Sequence, residues 1–221
     1  MKLFPKNTTL DDKVQYILIR FLRLSTIFAT AYVFYMGNIT GVLNGLIALF
    51  LLFMPDLIER RYSVRLPIEY SFSIVLFIYA AMVLGFVSQF YHRFWWWDDM
   101  LHITSGVLLG FAGFIVLYVL KLKGKLKASN FLISFFAFTV ALSLGVVWEW
   151  FEFIVDVVIG SNMQRSLNDT MADLLTDSIG AFISVYLGYR FMETGEKSSP
   201  FARMVHNFLA ANPNINKNQD D

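Results

Sequence analysis

The chain has no cysteine, and charged residues fill only 16% of its 221 positions. Without cysteine there are no disulfides, no thiolate nucleophile and no thiolate metal site. So few charges, against 57% hydrophobic and 17% aromatic residues, exclude a water-soluble globule and leave an integral membrane protein. No basic block stands out from the net charge of +1, so a nucleic-acid partner is not expected. No small-residue cleavage signal follows Lys2, Lys6, Arg20 and Arg23, and the first apolar stretch reads as a retained span. Also missing are HExxH, a Walker loop, a dinucleotide fingerprint, a nucleophile elbow and an internal repeat.

What the chain does contain is apolar segments of membrane length. A helix needs about 20 apolar residues to cross a bilayer. That requirement selects stretches near 15–36, 39–55, 68–90, 99–120, 129–155 and 171–191. The second is short and follows Gly37, Asn38 and Gly41, which suits a tilted or re-entrant segment. The expected fold is therefore all-α, a polytopic bundle of six transmembrane helices.

Lysine and arginine set its orientation, because cytoplasmic loops retain them. With the N-terminus inside, the inner segments hold Lys2, Lys6, Lys13, Arg20 and Arg23, then Arg60, Arg61 and Arg65. Lys121, Lys123, Lys125 and Lys127 follow, and finally Arg190, Lys197, Arg203 and Lys217. Only Arg93 and Arg165 fall outside, so both termini are expected in the cytoplasm. Trp95, Trp96 and Trp97 would then anchor the outer interface.

Eight of the seventeen acidic residues lie in WWWDDMLH (95–102), WEWFEFIVD (148–156) and NDTMADLLTD (168–177), with one of the three histidines. Each motif ends an apolar segment, and the orientation brings all three to the outer face. Carboxylates are costly near lipid, so their clustering points to a site. Spacings of three and four aim them along helix faces: Asp98 and Asp99 with His102; Glu149, Glu152 and Asp156; Asp169, Asp173 and Asp177. Asp98, Asp99 and Asp169 have a simpler role open to them, as helix N-terminal charges favoured by roughly 0.3–1 kcal/mol. That role does not extend to Glu149, Glu152 and Asp156 at a helix C-terminus, nor to Asp173 and Asp177 deeper in the last span. For these the plain alternative is a buried hydrogen-bonded network or neutral carboxyls.

Two cations, Arg93 and Arg165, stand against eight acids, so a bound divalent cation would settle the charge. One histidine with carboxylates and no thiol suits Zn²⁺, Mg²⁺, Mn²⁺ or Fe²⁺; shared protons are the rival occupant. The expected ligands are Asp98, His102, Glu149, Asp169 and Asp173, with Glu152 or Asp177 as general base and Arg165 as anion contact. Three functions fit these residues. One is a metal-dependent envelope enzyme on a lipid or lipid-linked substrate; another is a cation- or proton-coupled transporter; the third is a non-catalytic scaffold. The transporter needs a polar path inward, and Ser134, Thr139, Ser143 and Ser184 are its main materials.

The order and separations of DDMLH, WEWFE, QR and DTMADLLTDSIGA resemble the YjdF-like family of bacterial inner-membrane proteins. Asp98 and His102 are similar to its Asp-to-His pair, Trp148, Glu149 and Glu152 to its Trp-Glu-x-x-Glu block, and Asp169, Thr170, Asp173 and Gly180 to its Asp-Thr-x-x-Asp block leading to glycine. A broader similarity runs to VanZ-like proteins, associated with glycopeptide resistance, in Asp98, His102, Glu149, Arg165, Asp173 and Gly180. Against that pattern, Glu152 replaces glutamine and Asp177 replaces asparagine, and both changes add negative charge. The resemblance covers about residues 90–190 and implies a site in the last three spans of a bacterial inner-membrane protein.

Residues 1–198 are expected as the transmembrane domain and 199–221 as a cytoplasmic amphipathic segment with a disordered tail. In that segment PFARMVHNFLAA (200–211) suits a surface helix, with His206 at the interface. Gly106, Gly110 and Gly113 suggest a close helix contact in the fourth span.

Overall fold

The structure is a computed structural model that describes residues 9–215. Lys2, Lys6 and Lys217 of the charge pattern, and residues 216–221 of the expected tail, lie outside the described residues. Those described form helices joined by loops, with no strand among them. They divide into two units, residues 1–97 and 98–221.

The first unit begins with α1 (Leu10–Tyr35), closed at its start by a reciprocal cap. Thr9 Oγ1 accepts from Asp12 N at 3.2 Å while Thr9 N donates to Asp12 Oδ2 at 2.9 Å. α2 (Ile39–Leu52) starts at Asn38, whose Oδ1 accepts from Gly41 N at 2.9 Å, and breaks at Phe53 into α3 (Met54–Tyr62) with a 41° bend. Arg23 holds that break. Its Nε and Nη2 donate to the Leu52 carbonyl at 3.2 and 2.9 Å, its Nη2 pairs with Asp56, and its guanidinium lies 4.3 Å from the Phe53 ring centre. α4 (Ile68–Ile78) runs on without interruption as a wider π-helical stretch, Tyr79–Val87. Ile19, Leu22, Leu52, Val75 and Ile78 form the core where α1, α2 and α4 meet. A short turn, α5 (Phe90–Arg93), precedes the tryptophans.

The second unit contains α6 (Trp97–Leu122), α7 (Asn130–Ile159), α8 (Leu167–Thr194) and α9 (Pro200–Ala211). Small residues bring the first three together. A Cβ on Gly180 would stand 2.0 Å from the Ile103 carbonyl oxygen, and one on Gly106 would stand 2.4 Å from that of Asp177. Gly110 faces Ser184 and Gly113 faces Ala137, so the glycine series of α6 does make a close helix contact. Along α7 the buried face reads Ile133, Ala137, Ala141, Gly145 and then Glu149 and Glu152. Apart from Ser134, which is also buried, this face of α7 is apolar until it reaches the acids.

α9 differs from a helix resting on a membrane surface. Its apolar face, Phe201, Ala202, Val205 and Phe208, is buried within its own unit. Phe201 lies 5.2 Å from the Phe111 ring and 5.3 Å from that of Phe114, and His206 packs edge-on against Phe191 at 5.4 Å. The apolar stripe that suits a lipid surface is used instead to cover aromatic rings of α6 and α8. Beyond it Asn212 Nδ2 donates to the Phe208 carbonyl at 2.7 Å, and Pro213–Ile215 form a 3₁₀ turn with Ile215 buried.

Among the described residues four helices are long and apolar enough to cross a membrane, counting Ile68–Val87 as one, or five if the bent pair α2–α3 makes a span. α8 has the length, with 28 residues or about 42 Å at 1.5 Å per residue. It is nevertheless not among the helices apolar enough to cross, and Asp169, Asp173 and Asp177 occupy its first half.

Candidate functional site

The carboxylates gather where α6, α7 and α8 have their acid-bearing ends. Gly160, with φ +72°, stops α7, and Ser166 restarts the chain as the cap of α8 by accepting from Asp169 N at 3.2 Å. Between them Asp156 accepts from Ser161 Oγ at 2.5 Å, Met163 N at 2.7 Å and Gln164 N at 3.0 Å. Asp156 therefore closes the connecting loop, a hydrogen-bonded structural role of the kind left open as the plain alternative to a site. The loop ends on Arg165, held at φ +47°. Its guanidinium pairs with Asp98 Oδ2 through Nη2 and lies 3.1 Å from Asp169 Oδ2 through Nε. Ser166, not Asp169, supplies the cap.

His102 is the centre of the arrangement, 7% exposed. Its Nε2 lies 3.8 Å from Asp98 Oδ1 and 3.6 Å from Asp173 Oδ1, and its Nδ1 lies 3.3 Å from Asp177 Oδ1. One donor atom from each of Asp98, His102 and Asp173 falls within 4.8 Å of the others, a grouping that could hold a metal ion. Glu149 and Asp169 are not part of that group.

Asp173 and Asp177 are 2% and 3% exposed, and Glu149 is 3% exposed. Glu152, also buried, accepts from its own helix through Trp148 Nε1 at 3.0 Å. Gln164 Nε2 sits 3.2 Å from the Glu149 carbonyl and 3.4 Å from Glu149 Oε2. Glu149 Oε1 and Asp177 Oδ2 are buried without a hydrogen-bond partner. A buried charged oxygen left unpaired costs about 2 kcal/mol or more, so these two atoms could take a proton or a cation. Asp99 is half-buried in the first turn of α6.

Two participants had gone unnoticed in the sequence. Ser105 Oγ lies 2.8 Å from Asp177 Oδ1 and 2.8 Å from the His102 carbonyl. A Cβ on Gly145 would stand 2.4 Å from Asp177 Oδ2, so only glycine lets this carboxylate lie against α7. Their signals were faint: a serine three residues after the histidine, and a glycine four before Glu149.

Fold and site together define a multi-pass membrane protein with a buried Asp/His/Asp group. A family model described as predicted membrane protein (DUF2238) matches residues 17–194, and the chain belongs to that family. The match spans both units and stops at the end of α8. A protein of Thermotoga maritima named only as uncharacterized is 26% identical over 143 residues, 62% of this chain and 71% of that protein. No solved structure matches the chain.

Proposed function

We propose that the protein is a metal-dependent membrane enzyme acting on a lipid or lipid-linked substrate that carries an anionic group. The observation that carries this reading is the convergence of Asp98, His102 and Asp173, drawn from two helices, on one point. A metal with bonds of about 2.1 Å holds neighbouring donors roughly 3–3.4 Å apart. The observed 3.6 and 3.8 Å need only a few tenths of an ångström of contraction. The donor set, one imidazole with carboxylates, suits Zn²⁺, Mn²⁺, Fe²⁺ or Mg²⁺.

In this reading Glu149, with its unpartnered oxygen, supplies the next donor, and Glu152 is the general base. When bound, the cation would supply Lewis-acid chemistry. Arg165, 37% exposed at its side chain, faces an incoming anion while its pairing with Asp98 and Asp169 fixes those carboxylates. The fold is read as six spans with both termini cytoplasmic, which opens the site to the outer face of a bacterial inner membrane. VanZ-like and YjdF-like proteins would share this layout.

A second reading, a cation- or proton-coupled transporter, draws support from Ser134 and Ser184. Their hydroxyls are buried without a partner, and Ser184 continues the face of Asp173 and Asp177 along α8. Thr139 and Ser143 instead bond their own helix carbonyls. Farther along the same face the rings of Phe114, Tyr118, Phe191 and Phe201 interlock, which favours a one-sided site over a path.

The test is elemental analysis of detergent-purified protein after a mild chelator wash, beside a His102→Ala, Asp173→Asn double variant. Near-stoichiometric metal in the wild type, lost in the variant, is the expected result. Metal-free protein that stays folded after supplementation would sink the enzyme reading and leave shared protons. A Glu149→Gln variant that folds but is inactive would separate either function from a scaffold.

A further inference from the structure

We propose that membrane lipid covers the exposed side of α7 and α8 along the whole stretch that carries the acids, so that the candidate site lies inside the bilayer with Asp177 near its middle. Only the membrane assignment is needed for this, not a bound cation. α8 holds three aspartates in its first half, but Asp173 and Asp177 are buried and Asp169 is half-buried. Its exposed side is a different surface. Leu167, Met171, Leu175, Ile179, Phe182 and Tyr186, 44% to 76% exposed, follow one another in steps of three and four as an apolar strip. Asn168, in the first turn, is the one polar residue among the fully exposed positions of that stretch. The Thr176 and Ser178 hydroxyls donate to carbonyls of their own helix at 3.0 and 2.7 Å, as hydroxyls in membrane helices do.

The strip has the length of a hydrocarbon core. Leu167 to Tyr186 covers about 29 Å at 1.5 Å per residue, against about 30 Å for the core. Exposed Ser161, Asn162 and Arg165 bound it at the loop end, and Arg190 and Glu193 at the other. α7, packed along α8, continues the same surface. Its exposed residues are apolar from Phe131 to Ile159 apart from Ser143, whose hydroxyl donates to the Thr139 carbonyl at 2.7 Å. Its 30 residues make about 45 Å, near the thickness of a bilayer with its headgroups.

Contacts between the helices set the depth of the acids within that surface. A Cβ on Gly106 would stand 2.4 Å from the Asp177 carbonyl oxygen and one on Gly145 2.4 Å from Asp177 Oδ2, so these three residues share a level. His102, Glu149 and Asp173 each lie four residues from it toward the loop end, about 6 Å. Leu167 is ten residues from Asp177, about 15 Å, or half the core. Acids at such depth are expected to face the bundle interior, and Glu149, Glu152, Asp173 and Asp177 do. A ligand for Asp173 must then pass about 9 Å below Leu167, a depth open to a small ion or a membrane lipid and closed to a soluble polymer.

The chain has no cysteine, so single cysteines can be placed on it without background. Leu167→Cys, Met171→Cys, Leu175→Cys, Ile179→Cys and Phe182→Cys, all at exposed positions, are labelled with a nitroxide in the full chain. The protein is placed in vesicles of phosphatidylethanolamine and phosphatidylglycerol, with Asn162→Cys as the loop reference. Relaxation by oxygen reports lipid, and relaxation by nickel ethylenediaminediacetate reports water. The oxygen-to-nickel ratio should rise from Leu167 through Met171 to Leu175, hold at Ile179 and fall by Phe182. Nickel access at Met171 and Leu175 equal to that at Asn162 puts the site in water and overturns the proposal. Low access to both reagents means a protein surface, such as a second copy of the chain, and overturns it equally. A maximum displaced to Phe182, with Leu167 and Met171 open to nickel, lifts the acids to headgroup level and overturns the depth. Each of these outcomes is independent of whether a metal is found in the purified protein.

Discussion

The two units bury charge for opposite ends. In residues 10–97 Arg23 lies where α2 breaks, and its donors are taken up by the Leu52 carbonyl and Asp56 while Phe53 covers its face. In residues 98–215 Arg165 pairs with Asp98 and Asp169, yet Glu149 Oε1 and Asp177 Oδ2 remain buried without partners. A polar group that closes on its neighbours stabilises a bend. A buried carboxylate oxygen left open after the protein's own donors are used is a place where something else could bind. Apolar composition is common to both units, so it is the balance of donors and acceptors that separates scaffold from site.

Glycine packing should give the largest contrast. Gly180→Ala sets a methyl against the Ile103 carbonyl, a rigid backbone atom, and should cost about 3 kcal/mol or more in thermal unfolding. Gly85→Ala meets Cε2 of the Tyr91 ring at 2.3 Å, the far end of a side chain that can swing aside, and should cost about 1 kcal/mol. Equal losses would break the comparison. Next comes the ligand. A divalent cation at about 100 times its dissociation constant should add about 2.7 kcal/mol to the wild type and nothing to the His102→Ala, Asp173→Asn variant. A gain retained by that variant would move the site elsewhere.

Arg23→Ala should cost about 1.5–3 kcal/mol, the usual worth of hydrogen bonds from a charged group, without altering cation binding. Denaturant melts and the same titration report the two quantities separately. The smallest effect is expected at Ser184→Ala, within about 0.5 kcal/mol, because the buried hydroxyl has no protein partner to lose. A much larger loss would show that the hydroxyl is engaged after all, and would strengthen the transport reading.

Apolar length and helical spacing made the helices of both units legible, and the three-and-four steps of the acids brought Asp98, His102, Asp173 and Asp177 onto facing surfaces. What the sequence hid depends on contacts between helices. Asp156 looked like a site acid because its loop partners, the N–H groups of Met163 and Gln164, have no side-chain signature. The apolar stripe of 200–211 reads the same whether it meets lipid or protein, and only the position of Phe111 and Phe114 tells which. Gly145 was silent for a similar reason, since a glycine's value lies in what approaches it. The break at Phe53 falls inside an apolar run and is fixed by Arg23, thirty residues earlier.

The tucked position of α9 bears on how the molecule is made. Helices emerge from the ribosome in chain order, and α6, α7 and α8 are all complete before Phe201 exists. Until it arrives, Phe111, Phe114 and Phe191 have no cover from that side. The acid cluster can assemble from the three earlier helices while this aromatic end stays open, so α9 is the last piece to close the unit. A nascent chain arrested before residue 200 would display those rings to insertion machinery and quality-control proteases, and reaching α9 would end that exposure.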